Sequence, residues 1–175
     1  MNQRVCFIWL ASVWGIWGIT GSLAAADPIV FNDNGGWCWY QDERVIVHDN
    51  KVIIGSVANG SGTGGSSRSG DIEVTTYDLT AQTLVRTTLH DNLQADDHNT
   101  AAFLPLPDGR VLAMYSKHSG DSLIRYRITA NPYDTTSWNT EASVSRSSSV
   151  CYSNVFRLSD EGLSLIHISE PTRPY

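Results

Sequence analysis

With 12 Lys and Arg against 18 Asp and Glu in 175 residues, the chain has a formal net charge of −6 and no basic cluster, which argues against nucleic acid as a partner. The acidic balance leaves an anionic polysaccharide open, because a few well-placed basic groups override the global sign inside a cleft. The length suits one small domain or part of a larger one.

The first segment, residues 1–26, has the make-up of an export signal. Met1 to Arg4 carries one positive side chain, and Val5 to Ala26 is uncharged and rich in Trp, Ile, Val and Leu. Ala24-Ala25-Ala26 supplies the small side chains a signal peptidase accepts, so cleavage is expected after Ala26. An uncleaved anchor is the rival, since the uncharged run is long enough for a bilayer. Gly15, Gly18, Gly21 and Ser22 dilute its apolar character and favour cleavage. The product is expected to be secreted or periplasmic, with no membrane partner once the signal is gone. It keeps Cys38 and Cys151, for which a disulfide and two buried thiols are both open. No C-x-x-C or H-x-x-x-H spacing supports a zinc site, and neither a metal nor another cofactor is expected.

From Asp27 to Gly162 the pattern is strand after strand, with no convincing helical period. Arg44 to His48 and Val52 to Val57 are β-branched runs separated by the hairpin residues Asp49-Asn50-Lys51. Ala58 to Gly70 is a Gly/Ser loop, too polar and too entropic to pack. Asp71 to Leu79 alternates Ile72, Val74 and Thr76 against Glu73, Thr75 and Tyr77, the period of a half-buried strand. Thr83 to Leu89 is its expected partner.

A second group runs from Thr100 to Leu104, turns at Pro107-Asp108-Gly109, continues from Arg110 to Lys117, turns at Gly120-Asp121 and goes on from Ser122 to Thr129. The groups repeat: Asn50-Lys51-Val52-Ile53-Ile54 corresponds to Gly109-Arg110-Val111-Leu112-Ala113, and Gly70-Asp71-Ile72-Glu73-Val74 to Gly120-Asp121-Ser122-Leu123-Ile124. A third copy starts at Ser153 to Leu158, with a turn at Ser159 to Gly162. Repeats of about 50 residues built from short antiparallel strands predict an all-β propeller, one blade per repeat. A β-sandwich would show strands without the repeat.

Chemistry is expected at Asp96-Asp97-His98-Asn99-Thr100, where the chain passes from loop to an innermost strand facing a central funnel. A hydrogen-bonded strand cap is the plain alternative for His98. His118, after Lys117 at the end of the next strand, returns to the same rim because an antiparallel hairpin brings its two ends together. Tyr152, in Cys151-Tyr152-Ser153-Asn154, stands at the equivalent place in the third repeat, although a buried aromatic is the ordinary reason for a Tyr there.

Trp37-Cys38-Trp39-Tyr40-Gln41-Asp42-Glu43-Arg44, Asp97-His98-Asn99-Thr100-Ala101-Ala102, Lys117-His118 and Tyr152-Ser153-Asn154 together resemble the BNR-repeat propellers that include the ulvan lyases. The resemblance covers nearly all of Phe31 to Gly162. It implies that residues 27–162 are the N-terminal part, about three blades, of a seven-bladed β-propeller. It also implies cleavage of a sulfated rhamnose–uronate polysaccharide by β-elimination. The catalytic histidine of those enzymes falls on His98, the second active-site histidine on His118 and the catalytic tyrosine on Tyr152. Asn99 and Lys117, within the matched motifs, are expected to bind substrate. The charge-neutralising arginine of the family falls a short way beyond the tyrosine, in the stretch taken up by the chain's last residues.

Those last residues, 163–175, break the strand pattern. Leu163-Ser-Leu-Ile-His-Ile-Ser-Glu-Pro-Thr-Arg173 resembles a translated sequencing adapter and is expected to be a non-native tail. Two rivals to a lyase stand beside it. A sialidase-like glycoside hydrolase wants an arginine cluster and S-x-D-x-G-x-T-W boxes, neither of which occurs, and Asp96 and Asp97 as strand neighbours point to opposite faces. A non-catalytic glycan-binding propeller keeps Trp37, Trp39 and Tyr40 as stacking platforms and tolerates loss of the His/Tyr set.

Overall fold

The computed structural model describes residues 27–38, 44–159 and 162–167. The expected signal segment and Trp39 to Glu43 lie outside these residues. Four strands form one antiparallel meander: β1 (Val45–His48), β2 (Lys51–Val57), β3 (Ile72–Asp78) and β4 (Leu84–His90), paired in that order. A second meander repeats it with β5 (Ala102–Pro105), β6 (Val111–Ser116), β7 (Leu123–Ile128) and β8 (Ala142–Ser145). A hairpin of β9 (Ser153–Leu158) and β10 (Gly162–His167) opens a third unit. Among the described residues the helical content is limited to two short 3₁₀ turns, Gly65–Arg68 and Asp97–Asn99. The protein is all-β, a partial propeller of four-stranded blades.

The repeat seen in the sequence is the repeat of the blades. Val52 to Ile54 and Val111 to Ala113 lie in the second strands, and Ile72 to Val74 and Leu123 to Ile124 in the third. The first hairpin turns on Asp49 and Asn50, both at positive φ (47° and 57°), the backbone of a type I′ turn whose twist suits antiparallel strands. β5 touches β1 on one side and β9 on the other, so the first strands of successive blades gather around a common axis.

Two expectations need correction. β3 is not half-buried: every residue from Ile72 to Tyr77 is buried, because blades stack face to face and a middle strand is covered on both sides. Ile72 and Val74 pack with Phe103, Ala113 and Tyr115 of the second blade. On the opposite face Glu73 is 1% exposed and receives Arg68 in a two-pronged ion pair, Nε to Oε1 at 3.0 Å and Nη2 to Oε2 at 2.9 Å. That pair also orders the supposedly unpackable Gly/Ser loop. Arg68 reaches Asp33 as well, and Asn34 donates to the carbonyls of Asn59 and Thr63.

β8 has no counterpart among the predicted strands. Its four residues Ala-Ser-Val-Ser are all exposed, and backbone pairing to β7 from Tyr126↔Ala142 to Leu123↔Ser145 is what makes it a strand. The segment expected to be foreign also starts as a strand. Leu163 to His167 pairs with Ser153 to Arg157 after a turn in which Gly162 takes φ 85°. Alternation and a glycine turn suffice for such a hairpin whatever the origin of the residues, and Leu163 is left 58% exposed.

The blades meet closely at Gly55 in β2. A Cβ there would lie 2.8 Å from the Ala101 carbonyl oxygen and 3.0 Å from the Phe103 ring. Gly55→Val is therefore expected to force the first two blades apart and to destabilise the protein by about 1–3 kcal/mol. Urea unfolding measures it, and an unchanged midpoint would mean that the blades do not approach each other at β2.

Candidate active site

The site begins in the loop between the first two blades. Asp96, in an extended conformation, caps the short Asp97–Asn99 turn by accepting the backbone N–H of His98 at 3.0 Å. This places the His98 ring back over Asp96, with Nδ1 2.6 Å from Asp96 Oδ1 and 2.8 Å from Asp97 Oδ1. The ordinary cap function expected for the loop is thus present, but Asp96 performs it and His98 projects from it.

His118 follows β6 and arrives at the same carboxylate, its Nδ1 3.0 Å from Asp96 Oδ2. Its backbone is fixed independently: the N–H donates to Gln94 Oε1 at 2.9 Å. The two imidazoles stack with centroids 3.9 Å apart and planes at 21°. Tyr152 completes the group, its ring 4.7 Å from His98 and 6.4 Å from His118. The three residues singled out as catalytic come from three segments and form one aromatic cluster at the strand ends.

Tyr152 is held in an unfavourable backbone. Its φ is 54°, a left-handed conformation that an aromatic residue rarely adopts and that costs about 1–3 kcal/mol unless neighbours enforce it. The neighbours are identifiable. Ser153 Oγ donates to Ser116 Oγ at 3.1 Å, and Arg44 Nη2 donates to the Ser153 carbonyl and to Asn154 Oδ1, each at 3.0 Å. Residues from both blades thereby fix the chain immediately after Tyr152.

Electrostatics separates the roles. Burial, with the Cys38 thiol 3.9 Å from its hydroxyl, pushes the Tyr152 phenol above its usual range, so at neutral pH it is an O–H donor. For Asp96, burial alone would favour the neutral acid, yet the His98 backbone N–H and the two histidine rings outweigh it and hold the carboxyl below the usual range. Asp96 is therefore an anion facing two imidazoles.

The two expected substrate contacts both have partners within the protein. Asn99 is 0% exposed and donates to the Gln94 carbonyl at 3.0 Å and to Gln94 Oε1 at 3.1 Å. It braces, through Gln94, the loop that carries His98 and the backbone of His118. Its Oδ1 has no hydrogen-bond partner among the described residues. Lys117 is half-buried and pairs with Asp121 at 3.9 Å. Cys38 and Cys151 are both buried and pack with Tyr152, as the buried-thiol alternative has it.

Gln94 was not singled out from sequence, and Asp96 was named there only as part of the motif and as one half of an unsuitable carboxylate pair. The Asp-x-His spacing carries a signal for the Asp96–His98 contact, but the link from Asp96 to His118 depends on the fold. Asp96, His98 and His118 offer ligand atoms within 4.8 Å of one another, as do Cys38, Asp97 and His98, so either set has the donors to hold a cation. Beside the cluster, a cavity of about 50 Å³ lined by Gly36, Val57, Asn59, Asp96 and Asp97 is too small for a sugar ring.

Stacked four-stranded blades with a histidine and tyrosine cluster where their first strands converge define a repeat-built propeller. The chain belongs to the BNR repeat-containing family, whose sequence model matches residues 38–168. Among solved structures it is similar to a polysaccharide lyase, described as a PL25 ulvan lyase bound to -[GlcA(1-4)Rha3S]-, at 15% identity and a TM-score of 0.56, over 78% of this chain and 34% of that one. The same description without the saccharide matches at 14% identity and a TM-score of 0.54, with the same shares of the two chains. The chain thus spans about a third of the length of these neighbours. No curated protein matches it in sequence.

Proposed function

We propose that this chain carries the proton-transfer site of an exported polysaccharide lyase that cleaves a uronate-containing, ulvan-like glycan by β-elimination. The observation that carries the proposal is the convergence of His98, His118 and Tyr152, from three segments, into one ring cluster. The lyase structures that resemble the chain support it, one of them holding a glucuronate–rhamnose saccharide.

Elimination removes the C5 proton of the uronate, forms the C4=C5 double bond and breaks the bond from C4 to the glycosidic oxygen. His98, as the general base, takes the C5 proton. Tyr152, a protonated donor, gives its proton to the departing oxygen, and positioned transfers of this kind contribute on the order of 10²–10⁴-fold each. His118 lies beside His98 and orients the uronate carboxylate, whose charge must be offset for C5 to become acidic. A glycan-binding module without catalysis has no use for this pairing of a donor and an acceptor.

The test is to incubate the protein with ulvan and follow ultraviolet absorbance of the unsaturated uronate, with product masses measured in parallel. Saturated products, one water heavier, would assign a hydrolase instead, and bound but intact glycan would assign a lectin-like propeller. Export with removal of residues 1–26 belongs to the same proposal, and intact mass of the exported protein checks it: a chain retaining Trp9 and Trp14 would reject cleavage.

A further inference from the structure

We propose that the chain carries a second, non-catalytic glycan site between the first two blades, at the strand ends remote from the histidines, which binds one uncharged pyranose ring through Tyr133, Asp78 and Asp134. The inference goes beyond the lyase proposal and does not use it. β5 starts at the His98 end of the second blade and β6 returns there at His118, so their turn at Gly109 lies at the other end, about 20 Å away for a strand of six residues. At that end a cavity of about 130 Å³ opens between the two blades. Lys51, Asp78 and Val85 line it from the first blade, and Tyr133, Asp134 and Thr136 from the loop after β7. Thr76 and Thr135, both buried, join across its base through their hydroxyls at 2.7 Å.

Tyr133 is the outlier. Its φ is 60°, a left-handed backbone that aromatic residues rarely adopt, yet its side chain stays 52% exposed, so burial in a core does not account for it. The surroundings enforce the conformation. Tyr133 N–H donates to the Gly109 carbonyl at 2.9 Å, and the ring lies over Gly109, where a Cβ would come within 2.5 Å of it. The ring also stacks on His48, with centroids 5.6 Å apart and planes at 27°. A ring held in place and open to solvent suits stacking on the C–H face of a sugar, since an already ordered platform loses little entropy on binding.

The two carboxylates supply the polar half. Asp78 Oδ1 accepts the Ala81 and Thr80 backbone N–H groups at 2.8 and 2.9 Å, which holds its carboxyl below the usual range. Asp134 Oδ1 accepts the Thr136 hydroxyl at 2.7 Å and the Thr136 N–H at 2.9 Å, with the same effect. Both are fixed anions, and sugar hydroxyls donate strong charge-assisted hydrogen bonds to such acceptors. Lys51 is the one basic side chain lining the cavity among the described residues, and it already pairs with Asp49 at 2.9 Å. The balance is negative, so a uronate or a sulfated sugar is repelled and a neutral pyranoside is favoured.

The test is a ¹H–¹⁵N titration of the whole chain with methyl α-L-rhamnopyranoside, run beside D-glucuronate and calcium chloride. The neutral glycoside is expected to give saturable, millimolar shifts at Lys51, Asp78 and residues 133–136. His98→Ala is expected to leave them unchanged, so failure of the lyase reading does not touch this one. Tyr133→Gly accepts the left-handed backbone and removes the ring; it is expected to keep the urea midpoint and to weaken binding by about tenfold or more. Asp134→Asn keeps the shape of the side chain and is expected to weaken binding similarly. Wild-type affinity in either variant would overturn the proposal, as would the absence of saturable shifts or equal affinity for glucuronate. Saturation of Asp78 and Asp134 by calcium alone would overturn it in favour of a cation site.

Discussion

His98→Ala and Tyr152→Phe are each expected to reduce elimination by about 10²–10⁴-fold in a protein that still folds. His98 side-chain exposure is 22%, and the ring stands against Asp96, His118 and Tyr152 rather than in the apolar core, so its removal opens no cavity between blades. Tyr152→Phe keeps the ring and takes only the hydroxyl, whose partner is the Cys38 thiol at 3.9 Å. The left-handed backbone at Tyr152 is equally accessible to Phe, so the turn has no reason to relax. The two changes act on opposite ends of the reaction. On the proposed mechanism, His98→Ala removes the acceptor of the C5 proton, and Tyr152→Phe removes the donor to the leaving oxygen. Because both act within one transition state, the double variant is expected to lose much less than the product of the two single losses. Initial rates on ulvan, with circular dichroism to verify the fold, decide it. Rates within twofold of wild type in both variants would favour a glycan-binding role.

Glu73→Ala is expected to destabilise the first blade by about 3–5 kcal/mol, the usual penalty for breaking a buried ion pair by removing one partner. Glu73 is 1% exposed at the start of β3 and accepts from Arg68 at both oxygens and from Asn32 Nδ2 at 2.8 Å. Arg86 lies 3.6 Å away. With Ala there, the Arg68 side chain, 12% exposed, keeps among the described residues only the solvent-facing Asp33 as a carboxylate partner. The consequence is not local. Asn32 and Arg68 tie the N-terminal segment and the Gly/Ser loop to β3, and both are expected to detach with the carboxylate. Urea unfolding gives the stability change, and amide exchange in residues 59–70 reports the loop. A loss below about 1 kcal/mol, the range of exposed pairs, would show that water reaches Glu73 and that the pair is not a buried one.

Both expectations draw on features with different visibility in the sequence. Strand order, the hairpin turn at Asp49-Asn50-Lys51 and the blade repeat are local, set by β-branched runs, turn residues and their spacing, and they were legible directly. His98, His118 and Tyr152 were legible through the motifs that surround them. β8 was not, because Ala142 to Ser145 carries no apolar alternation and exists as a strand through its pairing to β7. The Gly/Ser loop was misjudged for a related reason. Its order comes from Arg68 reaching Glu73, Asp33 and Thr63, contacts that composition does not encode.

Sequence by itself determined that this is an all-β chain of repeated antiparallel strands with two histidines and a tyrosine at equivalent strand ends, since periodicity and turn chemistry are properties of neighbouring residues. Tertiary structure alone decided that β3 is buried on both faces, that Asn99 braces a loop from within, and that one carboxylate, Asp96, meets both histidines. Each of these depends on the distance between segments far apart in the chain, which stacking of the blades sets and no local pattern specifies.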